Sequence, residues 1–232
     1  MGPRAILKST SARFVGPRLT EHLIFFLKHP ISYWRLRGYV SISGWLGYLE
    51  AVYLYRATRR LRKKTSPKIL EIGTWLGKST VVLGTGIKGH PGARIYCIDP
   101  FDFSGDPQSQ PTYEAERDRM NLSLKETFLR NLDRAGLRDQ VEILHGYSHE
   151  VTWDKPIDLL FIDGNHAYEA VKGDYEKFAP FLVRGGILIM DDVFFDGNGH
   201  AGPARIVREC ILNNFSWYGH KSVGTLFSVR KK

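Results

Sequence analysis

Two carboxylate clusters stand at the ends of two apolar runs. Asp163 follows Ile157-Asp-Leu-Leu-Phe-Ile162, and Asp191 and Asp192 follow Gly186-Ile-Leu-Ile-Met190. Both runs read as buried strands, with a helical pattern between them. Two strands joined by a crossover helix are normally parallel and in one sheet. Their C-terminal ends then share an edge, where open α/β folds bind ligands. Three carboxylates converging there repel one another unless a cation sits among them. Oxygen-only ligation suits a hard ion such as Mg²⁺. The competing reading is that each Asp caps the loop after its strand, although a cap needs no second adjacent Asp.

Glu71-Ile-Gly73-Thr74-Trp75-Leu-Gly77-Lys-Ser79 forms the turn between a strand-like and a helical stretch. Gly73 and Gly77 let a ligand approach the backbone closely. The helix N-terminus that follows offers free N–H groups to an anion. The spacing matches neither the Walker loop nor GxGxxG, and a lone GxxxG is a weak signal. It gains weight from Asp99, which closes the next strand-like run. An acid there can accept hydrogen bonds from both hydroxyls of a ribose. The competing reading is that Asp99 caps the turn containing Pro100.

The elements that must position these groups alternate along the chain. Strands are expected at 68–72, 93–98, 141–144, 157–162 and 186–190, and two more at 217–218 and 224–230. Helices are expected at 76–87, at 168–182 and at 203–213. Another carries Met120, Leu124, Phe128 and Leu132 on one face and closes at Gly136. Residues 102–113 read as a loop long enough to be a lid. Strands alternating with helices give a parallel sheet covered on both faces. Residues 67–232 form this unit. Residues 1–66 form a basic, aromatic-rich helical cap, with 1–18 poorly ordered, breaks at Pro30 and Gly38, and a helix over Trp45–Leu61.

Composition adds bounds. The chain has 232 residues, 43% hydrophobic and 25% charged, as expected of one globular domain with an extension. Cys97 and Cys210 lack metal spacing and read as buried free thiols, which fits a reducing, cytoplasmic setting. No run reaches 18 uncharged apolar residues, and no cleavable leader is recognised. Residues 1–67 hold 13 Lys/Arg against Glu21 and Glu50, a balance of +11 out of the net +9. The rest is therefore close to neutral. The run Arg59-Arg-Leu-Arg-Lys-Lys64 is the densest basic point. It suits the solvated end of a helix, or an anionic partner such as nucleic acid, a phosphorylated substrate or a weakly contacted acidic membrane surface. Leu23–Leu27 with Tyr33, Trp34 and Trp45 could dip into a membrane interface, or cap the core.

LEIGTWLGKST, YCIDPF, EILHGYSHE, DLLFIDGNHAYEAVKGD and GGILIMDDV together resemble class I S-adenosylmethionine-dependent methyltransferases. The likeness covers about residues 68–230. The last two motifs are similar to those of metal-dependent O-methyltransferases of the catechol and caffeoyl-CoA types and of a bacterial sugar and macrolide branch. The resemblance implies a Rossmann-like, doubly wound, mostly parallel seven-stranded sheet with an N-terminal helical cap. It also implies S-adenosylmethionine bound at Glu71, Gly73, Thr74, Trp75, Gly77 and Ser79, with Asp99, Pro100 and Phe101 at the ribose. Gly146 and Ser148 would border the adenine. Asp163, also beside the cofactor, would hold a divalent cation, such as Mg²⁺, with Asp191 and Asp192.

The implied reaction is methylation of a small-molecule hydroxyl that the ion activates. Its acceptor is a sugar moiety or a catechol-like phenol, with Asp163 and His166 catalytic. His166 stands where the catechol type has Lys and could accept the proton, cap the next helix or brace a ligand. His145 and His149 read as structural. Glu50, the only charge in 39–55, faces either the site mouth or solvent. No specific nucleic-acid partner is expected, and a homodimer remains open. A metal-independent methyltransferase acting on RNA through the basic segment is the alternative. It fits less well, because Asp163-Gly-Asn-His166 replaces the Pro-Pro-aromatic motif usual in amino-methylating enzymes. A nicotinamide oxidoreductase would not need the Asp trio, and a non-catalytic anion-binding module would have no use for it.

Overall fold

The computed structural model describes residues 26–28 and 30–232. Residues 1–18, read above as poorly ordered, and Leu23 to Phe25, part of the apolar run, lie outside the described residues. Seven strands, β1 (Lys68–Ile72), β2 (Arg94–Asp99), β3 (Val141–His145), β4 (Ile157–Ile162), β5 (Leu182–Met190), β6 (Trp217–Val223) and β7 (Leu226–Lys231), form one sheet. Their order is β3-β2-β1-β4-β5-β7-β6. The first five are parallel, and β7 runs antiparallel to both β5 and β6.

Alternate residues of the central strands serve opposite faces, as the period of two requires. Ile69, Ile95, Cys97, Leu159, Phe161 and Ile189 pack under one layer of helices. That layer comprises α1 (Pro30–Val40), α2 (Tyr48–Leu61), α3 (Lys78–Ile87) and α5 (Leu124–Ala135). Leu70, Ile98, Leu160, Ile162, Leu188 and Met190 pack on the other face under α6 (Tyr168–Phe178) and α7 (Ala201–Ile206), which continues as a π-turn through Ile211. α5 begins with a capping box from Ser123 and Glu126 and ends on Gly136 in left-handed geometry.

Several expectations are corrected. Gly38 does not break the N-terminal helix: α1 runs through it, anchored by buried Leu36 and Tyr39, whose burial outweighs the roughly 1 kcal/mol cost of a helical glycine. The stretch read as a loop at 102–113 already enters a further helix, α4 (Gln110–Arg117), which polar composition concealed. α6 stops at Phe178, ahead of Pro180, and β5 starts at Leu182. Gly185, in left-handed geometry (φ 75°), is accommodated within that strand. Cys210 is only half-buried, although both cysteines are free.

Candidate active site

Sheet hydrogen bonds continue past the strand ends and bring the candidate residues into one line. Gly73 N–H donates to Ile98 O, Asp163 N–H to Ile72 O, and Asp191 N–H to Ile162 O, at 2.9–3.0 Å. The turn after β1 and the carboxylates after β4 and β5 therefore share the C-terminal edge of the sheet. Gly73 has φ 80°, and a Cβ there would overlap the Asp163 backbone carbonyl. Only glycine allows the two turns to lie this close.

In the β1–α3 turn, Glu71 is fully buried and accepts hydrogen bonds from Ser79 (2.5 Å) and Thr80 (2.7 Å). Burial pushes its carboxyl up to about 7 against those hydrogen bonds. Asp99 Oδ2 accepts from Thr74 N–H and Trp75 N–H at 2.8 and 3.0 Å, and Oδ1 from Phe101 N–H at 2.7 Å. Burial raises the Asp99 carboxyl, and these backbone donors oppose that shift. The Asp99 carboxylate thus organises the turn containing Pro100. Gly77, at φ 84°, is the N-cap of α3. Gly146 N–H donates to Asp99 O at the end of β3. Ser148 is fixed from below, because Lys177 Nζ donates to its carbonyl at 2.9 Å.

At the β4 and β5 ends, His166 Nε2 lies 3.2 Å from Asp192 Oδ2 and 3.9 Å from Asp163 Oδ1. One donor atom from each of Asp163, His166 and Asp192 lies within 4.8 Å of the others. Asp192 takes left-handed geometry (φ 52°), which turns it from the strand toward this centre. Asp191 faces elsewhere: Oδ1 accepts from Asp192 N–H (2.7 Å) and Thr225 Oγ1 (2.6 Å). Burial, then Asp163, Asp192 and Glu50, push its carboxyl well above the usual range. Burial likewise raises Asp163 to about 6. Glu50 reaches this locus from α2, its Oε1 accepting from Thr225 N–H at 2.9 Å. It therefore faces the site and not solvent.

The loop after β2 contributes a residue that sequence reasoning missed. Asp106 is buried. Its Oδ2 meets His166 Nδ1 at 3.2 Å, and its Oδ1 meets His200 Nδ1 at 3.7 Å. The N–H groups of Gln108 and Ser109 hold the same carboxylate. An acid followed by Ser109 just before α4 is a helix-start signal, and it could have revealed Asp106. His200 stacks on His166 with ring centres 4.2 Å apart; its glycine-rich surroundings carry no periodic signal. Asp106, Asp163 and Asp192 hold the His166 imidazolium up to about 10, although burial opposes the charge. Trp75, Trp45, Phe103 and Tyr113 form an aromatic wall beside the β1–α3 turn, and burial and Asp163 raise the Tyr113 hydroxyl. His145 Nε2 faces Pro100 O at 3.0 Å, and His149 stacks on Tyr147.

Two buried polar atoms in this region, His166 Nε2 and Trp75 Nε1, have no hydrogen-bond partner. Buried donors and acceptors are rarely left so. With the surplus of carboxylates, the free nitrogen makes a donor set that fits a divalent cation. Two carboxylates and one imidazole also admit Mn²⁺ beside Mg²⁺.

The sheet order, the glycine turn after β1 and the acid after β2 define a class I S-adenosylmethionine-dependent methyltransferase fold. The family model described as a methyltransferase domain matches residues 70–193. That is more than half of the chain, and the chain belongs to this family. Among solved structures, the O-methyltransferase NovP is similar at TM-score 0.63 and 15% identity, with 82% of each chain covered. An O-methyltransferase from Bacillus cereus in complex with SAH is similar at TM-score 0.54 and 16% identity, covering 94% of this chain and 93% of that one. CalS11, a TDP-rhamnose 3'-O-methyltransferase, is similar at TM-score 0.54 and 18% identity, with 91% of each covered. Among curated proteins, the uncharacterized protein R132 of Acanthamoeba polyphaga mimivirus is 31% identical over 71 residues. The match spans 29% of this chain and 32% of that relative.

Proposed function

We propose that this chain transfers the methyl group of S-adenosylmethionine to a hydroxyl of a small molecule bearing two neighbouring oxygens, a sugar in preference to a catechol, with a divalent cation at Asp163 and Asp192. The observation that carries this reading is the convergence of Asp163, His166 and Asp192 beside the Gly73 turn. Likeness to NovP and CalS11, the latter a sugar O-methyltransferase by its name, supports oxygen as the nucleophile and a sugar as its bearer.

Gly73 and Gly77 leave room for the methionine portion of the cofactor, and Asp99 lies at the position suited to its ribose. The cofactor supplies an electrophilic methyl on a sulfonium; its transfer to oxygen leaves a neutral thioether and releases the hydroxyl proton. The cation would supply Lewis-acid polarisation of the acceptor oxygens. His166 takes the proton. With Asp106 accepting from Nδ1–H, the proton lost from the imidazolium would come from Nε2, which lies on the Asp163 and Asp192 side. Neutralising Asp163 and Asp192 removes much of the pull that keeps the imidazole charged, so it can act as a base near neutral pH.

The 3.2 Å approach of His166 Nε2 to Asp192 favours one second reading, in which His166 is itself a metal ligand. Manganese titration separates the two: His166→Ala keeps Mn²⁺ affinity if His166 is the base and loses it if His166 is a ligand. The activity test presents methyl-labelled S-adenosylmethionine with nucleotide sugars, glycosides, catechols and RNA, with and without EDTA. Label on a vicinal diol, lost in EDTA and restored by Mg²⁺ or Mn²⁺, is the expected result. Label on RNA, or turnover insensitive to chelator, contradicts the proposal.

A further inference from the structure

The basic, aromatic cap is not used by the chemistry above. α1 buries Ser32, Leu36 and Tyr39 against the domain, yet its opposite side is apolar as well. Ile31 and Trp34 on α1 are 71% and 59% exposed, and Leu27, ahead of α1, is 67% exposed. Three residues apart at 3.6 residues per turn, Ile31 and Trp34 share one face, with Arg35 flanking it on one side and Arg37 on the other. The Arg37 guanidinium lies over the Trp34 ring, 5.7 Å from its centre.

Beside the stripe, two cations converge without an acid. Arg35 Nη1 and Arg59 Nη1 each donate to the Tyr55 hydroxyl at 2.7 Å. A phenol oxygen neutralises neither charge, and both guanidinium groups keep further donors in a fixed planar fork. Among the described residues before β1 there are nine Lys/Arg and one acid. That acid, Glu50, is buried and held by Thr225, so it does not compensate them.

From this arrangement we infer that the α1–α2 face is a docking surface for an anionic lipid bilayer. Arg35 and Arg59 hold a headgroup phosphate there, and Leu27, Ile31 and Trp34 enter the headgroup–acyl boundary. Charge complementarity selects this occupant. An apolar stripe flanked by arginines with a tryptophan on it matches an interfacial helix, which gains from apolar burial and from attraction to anionic lipid together. A nucleic-acid partner would use the arginines and leave the apolar stripe in water. A second copy of the chain would bring the same uncompensated cations against each other. No described helix is long and apolar enough to cross a membrane, so the contact is peripheral. The inference is independent of the methyl-transfer reading.

The test is co-sedimentation of the full chain with vesicles of phosphatidylglycerol and phosphatidylcholine, and with vesicles of phosphatidylcholine alone. Binding to the anionic vesicles that weakens in salt and is not displaced by millimolar inorganic phosphate is expected. Arg35→Gln with Arg59→Gln should lower the partition coefficient by about thirtyfold, the combined effect of two surface arginines. Because those arginines also anchor Tyr55, the exposed Trp34→Ala is the second variant. It should weaken binding and remove a blue shift of tryptophan emission while leaving the thermal midpoint unchanged. Equal binding to neutral vesicles, an unchanged partition in Trp34→Ala, displacement by free phosphate, or salt-dependent RNA binding without vesicle binding would each overturn the inference.

Discussion

His166 Nδ1 lies 3.2 Å from Asp106 Oδ2, across 60 residues of chain, so the loop after β2 reaches the imidazole at the carboxylate centre. In the proposed reaction this contact would decide which nitrogen keeps its proton once the imidazole is neutral. Replacing the acceptor by an amide weakens the preference for the tautomer with a free Nε2. Asp106→Asn is expected to slow single-turnover methyl transfer by about 10–100-fold, in the range for a residue that orients a site group. Calorimetry should find S-adenosylmethionine affinity unchanged. Wild-type rates in this variant would mean that the contact only fastens the loop.

Asp99 accepts three backbone N–H groups at the turn after β1, and the proposed function assigns the cofactor ribose to it. Asp99→Ala should weaken S-adenosylmethionine binding by about 1–3 kcal/mol, the usual cost of losing a charged acceptor. Calorimetry on the folded variant decides it, and unchanged affinity would place the ribose elsewhere.

Burial raises Glu71 from 4.5 to about 7. Between those values the folded chain holds a proton that the unfolded chain has lost. Stability from this group is therefore complete below pH 4.5 and declines as pH rises to 7. The loss is about 3 kcal/mol at most, from roughly 1.4 kcal/mol per pKa unit. Urea unfolding at pH 5 and pH 8 should show a fall in the wild type that is smaller in Glu71→Gln. Equal falls in both proteins would assign the pH dependence to other buried acids such as Asp174, which burial raises to about 6.

Gly73 combines φ 80° with a Cβ position that overlaps the Asp163 backbone. Gly73→Ala should cost about 1–3 kcal/mol of stability from the strained backbone alone, and more from the displaced β4 turn. Unfolding midpoints with an unchanged denaturant slope test this, and a loss under about 0.5 kcal/mol, the size of an ordinary surface substitution, would show that the turns can separate.

The central sheet was readable because β1, β4 and β5 are short apolar runs broken by Gly, Pro and Asp. Asp163, Asp191 and Asp192 stood out because charges rarely close such runs together. What was not readable depends on long-range approach. Asp106, His200 and Thr225 lie far from His166 and Asp191 in sequence, and no local pattern pairs them. α4 was hidden because it is short and strongly polar and buries no residue, so no apolar run marks it. Glu50 was recognised as an isolated charge; its Oε2 accepts from Gly47 N–H at the start of its own helix, and no local pattern shows that Thr225 in the β6–β7 turn meets its Oε1.

The central claim is that Asp163 and Asp192 hold a divalent cation beside the cofactor turn. Electron paramagnetic resonance titration of Mn²⁺ into the chain saturated with S-adenosylmethionine tests it without knowledge of the acceptor. One bound Mn²⁺ per chain is expected. Asp163→Asn and Asp192→Asn should each weaken it by at least the roughly 10–100-fold typical of disturbing even a supporting residue. An absence of stoichiometric Mn²⁺ binding, or affinity unaffected by both substitutions, would contradict it.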